Sequence, residues 1–304
     1  MVLNFRAPDV TVDCVKSLLA SRGVPLHVIV IDNASGDDSG EVLTKRLAGT
    51  ERVTLHLRSV NDGYTGGNNA GLEMARRMNP RFAFVVNNDT ILEPDCLATL
   101  VAAARNDPHI AVVVPQIFFG EPNDRLWFGG SRFSLWRGRP VHVGFRQRAD
   151  AGWREPRDLP FASGCALLVS FEAIDAVGGT LFDNSLFTYA EDLDLSLRFR
   201  ASGWRLRYEP RAVLWHLDGV GHRRAGGQAL RFYLNTRNLL RVVARHARWY
   251  HWPILAPMIA VDVIGRFCAV AVRDRDPRAF AAVLRGAAHS VTGGRHPIEQ
   301  HARP

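Results

Sequence analysis

Short runs of β-branched and other apolar residues alternate with helical patterns through the first 115 residues, and this alternation constrains the fold most. The apolar runs span residues 28–31, 53–57, 82–86 and 112–114. Helical periodicity lies between them, at residues 10–20, 39–47, 69–78 and 94–105. Because strands that alternate with helices form open sheets covered on both faces, we predict an α/β fold with a doubly wound, mostly parallel sheet. The first strand, at residues 2–4, is so short that a clipped or mis-assigned start is expected.

Polar residues directly follow three of the predicted strands. In open α/β sheets ligands bind outside the carboxyl ends of the strands, so these positions form the candidate site. Asp32 and Asn33 could hold a nucleobase or cap the next helix. Asn87-Asn88-Asp89 suits a hard cation that bridges diphosphate oxygens, although an Asx turn leading into a helix would use the same residues.

The glycine-rich segment from Asn61 to Gly71, NDGYTGGNNAG, is predicted to be a strand-to-helix loop. Backbone N–H groups in such loops cradle phosphate or ribose. Its spacing fits neither G-x-G-x-x-G nor G-x-x-x-x-G-K-[ST], which argues against a dinucleotide-binding oxidoreductase and a P-loop enzyme. The segment is therefore a candidate nucleotide site of another class.

The chain after residue 115 predicts a small antiparallel part. We expect hairpins at 132–136 and 141–145, a strand at 165–169, a short helix at 171–176 and a last strand pair at 204–208 and 212–215. His216 ends the last of these runs, where a buried structural histidine is the simplest explanation and a ligand is the alternative.

Three carboxylates, Glu191, Asp192 and Asp194, crowd one turn of a helix predicted at 191–201. The helix dipole favours acidic residues at a helix N-terminus, and this explains one or two of them. The helix dipole does not explain the aromatic residues that come just before these carboxylates. A carboxylate at such a site could instead act as a general base towards an alcohol.

The positive charge of the chain is confined to its last part. Residues 221–304 carry 14 Arg and 4 acidic residues, whereas residues 1–220 carry 24 Lys and Arg against 26 Asp and Glu. We therefore divide the chain into a domain at 1–220 and a basic, amphipathic helical tail at 221–304. The apolar stretch 253–272 is interrupted by a proline and two charges, so it falls short of a spanning helix. Contact with an anionic membrane surface is expected, and packing on the main domain is the alternative.

Composition excludes several classes of protein. A chain of 304 residues that is 47% apolar can bury a core, which excludes a disordered chain, a disulfide-built miniprotein and a polytopic membrane protein. The four cysteines lie far apart without zinc spacing, and no secretory signal is recognised, so a reducing, cytoplasmic setting is predicted. Zinc-finger, helix-turn-helix and RNA-binding motifs are missing from the sequence, and nucleic acid is not expected as a partner.

Six motifs follow one another along the chain: VIVIDNASGDDS, NDGYTGGNNAG, FVVNNDTILEPDCL, SGCALLVS, LFDNSLFTYAEDLDLSLRFRASGW and YEPRAVLWHLDG. In this order they resemble family 2 of the inverting glycosyltransferases, and within it the rhamnosyltransferase-like branch. The resemblance covers about residues 1–245 and includes Arg237-Asn238 after the last motif. It implies the GT-A fold, a single domain that binds a nucleotide-sugar, here followed by a C-terminal helical appendage.

The resemblance also implies a role for each candidate residue on the donor side. The base and ribose of the donor would be contacted by Asn4, Asp32 and Asn33. The surrounding nucleotide pocket would be formed by Asn61, Gly63, Gly66 and Asn68.

The catalytic residues are implied in the same way. Asn87-Asn88-Asp89 corresponds to the family's Asp-x-Asp metal motif, in which Asn87 replaces the first acid and leaves Asp89 as the acidic ligand of Mg²⁺ or Mn²⁺. His216 matches the residue that completes metal or diphosphate binding. Asp192 matches the catalytic base, and Glu191 would support it.

The reaction implied is a single displacement that inverts the anomeric centre. The sugar would pass from a nucleotide-diphosphate donor, with dTDP-rhamnose the first choice and UDP-sugars the second, to a hydroxyl of a cell-surface glycan or lipid-linked acceptor. The enzyme would work in the cytoplasm at the inner face of the cell membrane. Two alternatives remain: a nucleotidyltransferase, and an inactive nucleotide-sugar-binding scaffold of a polysaccharide assembly complex.

Overall fold

The computed structural model describes residues 1–120, 124–149, 151–217, 227–269, 277–296 and 299. The predicted domain division between residues 220 and 221 lies outside the described residues, as does the end of the apolar stretch 253–272. The strands are β1 (Val2–Asn4), β2 (Val28–Asp32), β3 (Val53–Leu57), β4 (Phe82–Asn87), β5 (Thr90–Leu92), β6 (Ile110–Phe119), β7 (Leu126–Phe128), β8 (Ser131–Arg132), β9 (Val141–His142), β10 (Arg157–Asp158), β11 (Ala166–Ser170) and β12 (Arg205–His216). The helices are α1 (Pro8–Leu19), α2 (Ser39–Leu47), α3 (Gly63–Arg76), α4 (Cys96–Arg105), α5 (Phe171–Ala176), α6 (Glu191–Ala201), α7 (Gly227–His246), α8 (Trp252–Ala269) and α9 (Pro277–Thr292).

Most of the strands form one mixed sheet in the order β10-β12-β6-β11-β4-β1-β2-β3, with β5 beside β12 and β7 beside β6. The half formed by β4, β1, β2 and β3 is wholly parallel, and β6 and β12 are also parallel. β11 lies antiparallel between β4 and β6, and β8 pairs with β9 as the predicted hairpin. The α/β prediction is confirmed.

The central strands are buried on both faces. Every residue of β2 and of β11 is buried, and α1 and α4 add Val15 and Leu100 to the same core. Strands covered on both faces need apolar side chains in both directions, which is why these strands appear in the sequence as continuous apolar runs.

The glycine-rich segment is helical rather than a loop, because α3 begins at Gly63 and not at the predicted residue 69. Its glycines bring the helix close to the sheet: a Cβ on Gly67 would lie 2.4 Å from Leu3 Cδ1, and one on Gly71 would lie 2.7 Å from Ile31 Cδ1. Glycine has a low helix propensity, so the sequence predicted a loop here. In the structure the glycines are part of a helix, where their small size allows close packing.

The predicted strand pair at 204–208 and 212–215 is a single strand, β12. Its register against β6 shifts between Glu209 and Val213, directly opposite Pro115. Proline cannot donate a ladder hydrogen bond, and a bulge in the neighbouring strand accommodates it. β6 likewise continues past Pro115 to Phe119, where the sequence predicted an end.

The tail helix α7 packs against the main domain. Leu239, Val242 and Val243 are buried with Phe161 and Leu193 in a second apolar cluster. This is the arrangement that the sequence left as its alternative.

Two of the arginines of α7 form ion pairs within the protein. Arg237 is fully buried against Glu299, and Arg245 forms ion pairs with Asp183 and Asp194. Within the described residues, no helix is long and apolar enough to cross a membrane.

Candidate active site

The carboxyl ends of β1 and β2 carry a buried polar cluster. Asn4 pairs in register with Asp32, and its Nδ2 donates to Asp32 Oδ1 at 2.7 Å. Thr11 Oγ1 donates to Asn4 Oδ1 at 2.7 Å, which fixes the orientation of the amide. Ser35 donates to both carboxylate oxygens of Asp32, from Oγ at 2.5 Å and from its backbone N–H at 3.2 Å. The cluster therefore presents a preformed polar edge at the strand ends.

A second group continues this edge towards β3. Asn33 Nδ2 donates to Asn61 Oδ1 at 2.9 Å and to the Gly63 carbonyl at 3.0 Å. Arg58 donates to Asn33 Oδ1 at 2.8 Å and forms an ion pair with Asp62. The sequence analysis did not single out Arg58, because an isolated arginine in a loop gives no pattern.

The first turns of α3 connect this group with α6. Gly63 has a φ of +83°, and a Cβ there would lie 2.3 Å from the Phe187 carbonyl oxygen, to which Thr65 N donates at 3.1 Å. Gly66 lies beneath the Asp62 carboxyl, which a Cβ at Gly66 would strike. Only glycine allows so close an approach at these two positions.

Asn68 lies in the same helix and is 1% exposed. Its Nδ2 donates to the Tyr64 carbonyl at 2.9 Å, whereas its Oδ1 has no hydrogen-bond partner in the part of the chain that the structure describes. A buried acceptor without a donor is costly, so this atom is suited to receive a hydrogen bond from a ligand.

The carboxyl ends of β4 and β12 bring the candidate metal ligands together. Asp89 is 5% and His216 2% exposed, and His216 Nε2 lies 3.0 Å from Asp89 Oδ1. Neither ring nitrogen of His216 has a hydrogen-bond partner of good geometry among the described residues. A buried imidazole and a buried carboxylate this close together fit a divalent cation, for which both groups are ordinary ligands, and Nδ1 of the ring is left without any partner among the described residues.

The protein supplies only part of such a coordination shell. No cluster of three or more candidate His, Cys, Asp or Glu ligands occurs in the described ranges. Cations that act on phosphates commonly take one or two protein ligands and complete their coordination with water and substrate phosphate oxygens, so two ligands fit a substrate-bridging ion.

Glu191 and Asp192 follow a backbone of unusual conformation. Phe187, Tyr189 and Ala190 all have positive φ values, of 64°, 72° and 64°, immediately before α6 begins at Glu191. Residues other than glycine rarely adopt this conformation, and it is maintained only when the surrounding structure holds it.

The two carboxyl groups differ in their hydrogen bonds. Asp192 Oδ2 accepts from Gly164 N at 2.9 Å and Oδ1 from Leu193 N at 2.8 Å. Glu191 Oε2 is buried and has no hydrogen-bond partner among the described residues.

Burial alters the protonation of both groups. Burial and the neighbouring Asp192 carboxylate raise the pKa of Glu191 to about 8. Burial also raises the pKa of Asp192, but the backbone N–H groups of Gly164 and Leu193 favour its charged form and oppose the rise. Glu191 is therefore protonated near neutral pH, and the two backbone N–H groups favour the charged form of Asp192.

Asp194 does not belong to this pair. It is fully buried and pairs with Arg198, Arg245 and His246, all at 2.9–3.1 Å. The third carboxylate of the predicted cluster therefore anchors α6 to α7.

A cleft of about 450 Å³ unites the catalytic candidates. Of the predicted residues, those that line it are Asn87, Glu191, Asp192 and His216. Asp89 and the donor-side residues from Asn4 to Asn68 do not line it. The cleft also has lining residues that the sequence analysis missed, namely Tyr64, Trp127, His142, Arg231 and Asn235.

The missed residues lie far apart in the sequence. Trp127 lies edge-on to His142 and to His216, with ring centroids 4.8 Å and 4.7 Å away. Burial lowers the pKa of His142 to about 4, so this ring is neutral near pH 7. Arg231 and Asn235 are on α7, one turn apart. No local sequence pattern indicates that they line the cleft.

Comparison with known families decides the identity of the chain. The sequence model described as "Glycosyl transferase family 2" matches residues 1–178, more than half of the chain. The chain belongs to glycosyl transferase family 2. It is a glycosyltransferase, as the ordered motifs predicted.

Several proteins are similar to this glycosyltransferase in sequence. An N-acetylglucosaminyl-diphospho-decaprenol L-rhamnosyltransferase of Mycobacterium tuberculosis is 27% identical over 259 residues, which cover 78% of this chain and 81% of the relative. An uncharacterised protein of Sinorhizobium fredii is 26% identical over 214 residues, but the chain spans only 23% of its length. A poly-beta-1,6-N-acetyl-D-glucosamine synthase of Staphylococcus aureus is 23% identical over 213 residues and is covered to 48%.

Solved structures agree on the fold. A mannosyltransferase of Pyrobaculum calidifontis, in complex with GDP-Man and Mn²⁺, aligns with 98% of the chain and 76% of its own length at a TM-score of 0.56. GalNAc-T7 with UDP, GalNAc and Mn²⁺ aligns with 98% of the chain and 57% of its own length at a TM-score of 0.64. Both are 15% identical in sequence, so they establish the GT-A fold of this glycosyltransferase and nothing finer.

Proposed function

We propose that this glycosyltransferase transfers a sugar from a nucleotide-diphosphate donor to an acceptor hydroxyl with inversion of the anomeric centre. One observation supports this most: Asp192 lines the same cleft as Asn87 and His216, at the ends of β4 and β12. A base for the acceptor and groups for the diphosphate are thereby close together, with no second nucleophile required.

Asp192 is the proposed base. Its carboxylate takes the proton of the acceptor hydroxyl while the acceptor oxygen bonds to the anomeric carbon and the bond to the diphosphate oxygen breaks. General-base catalysis contributes on the order of 10²–10⁴-fold to the rate. Protonated Glu191 beside it adds no second negative charge, so the acceptor oxygen meets only one carboxylate.

Asp89 and His216 are the proposed ligands of Mg²⁺ or Mn²⁺. When bound, the ion would neutralise negative charge on the departing nucleoside diphosphate. Support comes from the buried His216 ring, whose Nε2 lies 3.0 Å from Asp89 Oδ1 and whose Nδ1 has no hydrogen-bond partner among the described residues. Asn87 lies at the cleft near these residues and is suited to hydrogen-bond the diphosphate rather than to neutralise it.

The donor nucleotide is proposed to bind along the polar edge of β1, β2 and α3. The base and ribose would contact Asn4, Asp32 and Asn33, and the pocket would be completed by Asn61, Gly63, Gly66 and Asn68. dTDP-rhamnose is the first candidate donor, supported by the likeness to the mycobacterial rhamnosyltransferase. UDP-sugars are the second.

The acceptor is proposed to be a cell-surface glycan precursor or a lipid-linked glycan at the inner face of the cell membrane. The surface that supports membrane contact is α8 with the turn before it. Ile254, Pro257, Val261 and Ile264 form an exposed apolar stripe along one face, and Trp249 is 83% exposed at its start. An apolar stripe with an aromatic residue at its end is typical of an interfacial helix.

The experiment that tests the function is ligand-induced stabilisation followed by transfer. The purified full chain is heated with dTDP-, UDP- or GDP-sugars, with and without Mn²⁺. A ligand at about 100 times its dissociation constant stabilises the fold by about 2.7 kcal/mol, which shifts the melting temperature visibly. We expect one nucleotide to give a metal-dependent shift and its sugar to be released or transferred. Binding without turnover on any acceptor would instead identify an inactive scaffold.

A further inference from the structure

We propose that Asn238 is a positioning residue for the reaction: its side-chain amide holds the backbone that delivers Asp192 to the cleft. The inference rests on the proposed role of Asp192 as the base. Asn238 is on α7, beyond the part of the chain that the family model matches, and it is fully buried.

The side-chain amide of Asn238 contacts three carbonyl groups of the short segment before α6. Its Nδ2 donates to the carbonyl oxygens of Leu186 at 2.6 Å, Thr188 at 2.7 Å and Tyr189 at 3.1 Å. Leu186 and Thr188 flank Phe187, which has a positive φ, and Tyr189 is itself a positive-φ residue. A strained backbone of this kind persists only where partners hold it. Thr65 of α3 donates to the Phe187 carbonyl, and Asn238 donates to the carbonyls around it.

Arg237 determines which way the Asn238 amide faces. Arg237 Nε donates to Asn238 Oδ1 at 2.9 Å, so the oxygen is occupied and the NH₂ group points to the carbonyls. Without this contact the amide could turn over and place its oxygen against three other oxygens. Two adjacent residues of α7 thus act together on one segment.

Glu299 in turn holds Arg237. The guanidinium is fully buried, and its Nη1 and Nη2 donate to Glu299 Oε2 and Oε1 at 2.5 Å and 2.6 Å. A buried guanidinium needs such a bidentate partner, because an unpaired buried charge is strongly unfavourable. The contacts therefore run from Glu299 through Arg237 and Asn238 to the backbone that precedes Asp192.

Substitution of Asn238 by Asp in the full chain tests the proposal. The two side chains have nearly the same shape, but Asn238→Asp replaces the donor by a group that repels the three carbonyls. We expect kcat to fall by about tenfold or more, because displaced catalytic groups lose rate steeply. The KM for the donor should stay within about twofold, since the proposed nucleotide contacts are on β1, β2 and α3.

Val243→Ala is the matched control on the same helix. Val243 is fully buried in the cluster between α7 and the main domain, and it contributes no hydrogen bond to the segment before α6. We expect this variant to lose melting temperature while it keeps its kcat. A kcat for Asn238→Asp that is no lower than that of Val243→Ala would overturn the proposal.

Glu299→Gln keeps the shape of the buried pair but replaces one of its two acceptor oxygens by an NH₂ group and removes the counter-charge of Arg237, and it is the second variant. If Asn238→Asp does not fold, Glu299→Gln decides: a lower kcat at an unchanged donor KM supports the proposal, and an unchanged kcat contradicts it. Asp192→Asn, assayed alongside, separates the two claims. If Asp192→Asn is inactive and Asn238→Asp is fully active, the positioning role alone fails; if Asp192→Asn is active, the proposed base fails.

Discussion

Glu191 and Asp192 are neighbours in the sequence, but their carboxyl groups have different surroundings. Asp192 receives two backbone N–H groups, whereas Glu191 is buried beside a negative charge. The sequence could predict that carboxylates meet here, because helix starts and acidic residues are local features. It could not predict how their surroundings differ, because Gly164, which donates to Asp192, approaches from the turn before β11.

The protonation of Glu191 predicts a pH dependence of stability. Its pKa is raised to about 8 in the folded chain from an ordinary value of 4.5, so the folded chain binds more protons between these values. The free energy of unfolding therefore falls as pH rises through this window, by at most about 1.4 kcal/mol per pH unit. We expect the free energy of unfolding of Glu191→Gln not to show this fall. Urea unfolding of the variant and the wild type at pH 5 and pH 8 measures the difference.

The control for this measurement is Glu41→Gln, which changes an exposed residue on α2. We expect Glu41→Gln to lose stability between pH 5 and pH 8 as the wild type does. Curves for Glu191→Gln that run parallel to the wild type would show that Glu191 is already ionised at pH 5.

Asp89→Ala predicts the loss of metal dependence. Removing this carboxylate leaves His216 as the one predicted protein ligand, so the donor-induced shift in melting temperature should no longer respond to Mn²⁺. The rate of sugar transfer should also fall, because the metal is expected to stabilise the leaving diphosphate. Asp13→Ala, on the exposed side of α1, is the control and should keep the response. A full Mn²⁺ response in Asp89→Ala would remove Asp89 from the proposed metal site.

Helices and strands were predicted correctly from the sequence where residues within the same element determine its structure, and incorrectly where contacts with another element determine it. β2, β4 and β11 were predicted well because strands buried on both faces need continuous apolar runs. α3 was predicted to start too late, since its glycines serve packing against β1 and β2 rather than a turn. The sequence predicted two strands where the structure has β12 alone. The bulge between the two halves of β12 accommodates a proline on the neighbouring strand, and this was not visible in the local sequence.

The exposed apolar face of α8 predicts that this helix binds the membrane, and that the net positive charge of the tail alone does not. Val261 is 61% and Ile264 59% exposed, and both lie on the stripe that begins near Trp249. We expect the full chain to float with liposomes that contain anionic lipid, and the double variant Val261→Glu, Ile264→Glu to float much less. Leu57→Glu alters an equally exposed residue on β3 and should float normally. Equal flotation of all three proteins would contradict membrane contact by α8.

At the scale of the whole molecule, the cleft is assembled from parts of the chain that are distant in sequence. β4, β12, α6 and α7 each supply lining residues, and α7 lies beyond the matched family segment. The order of motifs along the chain predicted the family and four of the residues that line the cleft. It could not predict Arg231 or Asn235, because their place in the cleft follows from how α7 packs on α6 and not from any local pattern.

The central claim is that Asp192 removes the proton of the acceptor while the donor is held by other residues. The most direct measurement compares Asp192→Asn with the wild type in the full chain, for both turnover and donor affinity. We predict that turnover falls by at least about 100-fold. The dissociation constant of the donor should stay within about twofold of the wild type. Turnover close to that of the wild type would contradict the assignment of Asp192 as the base.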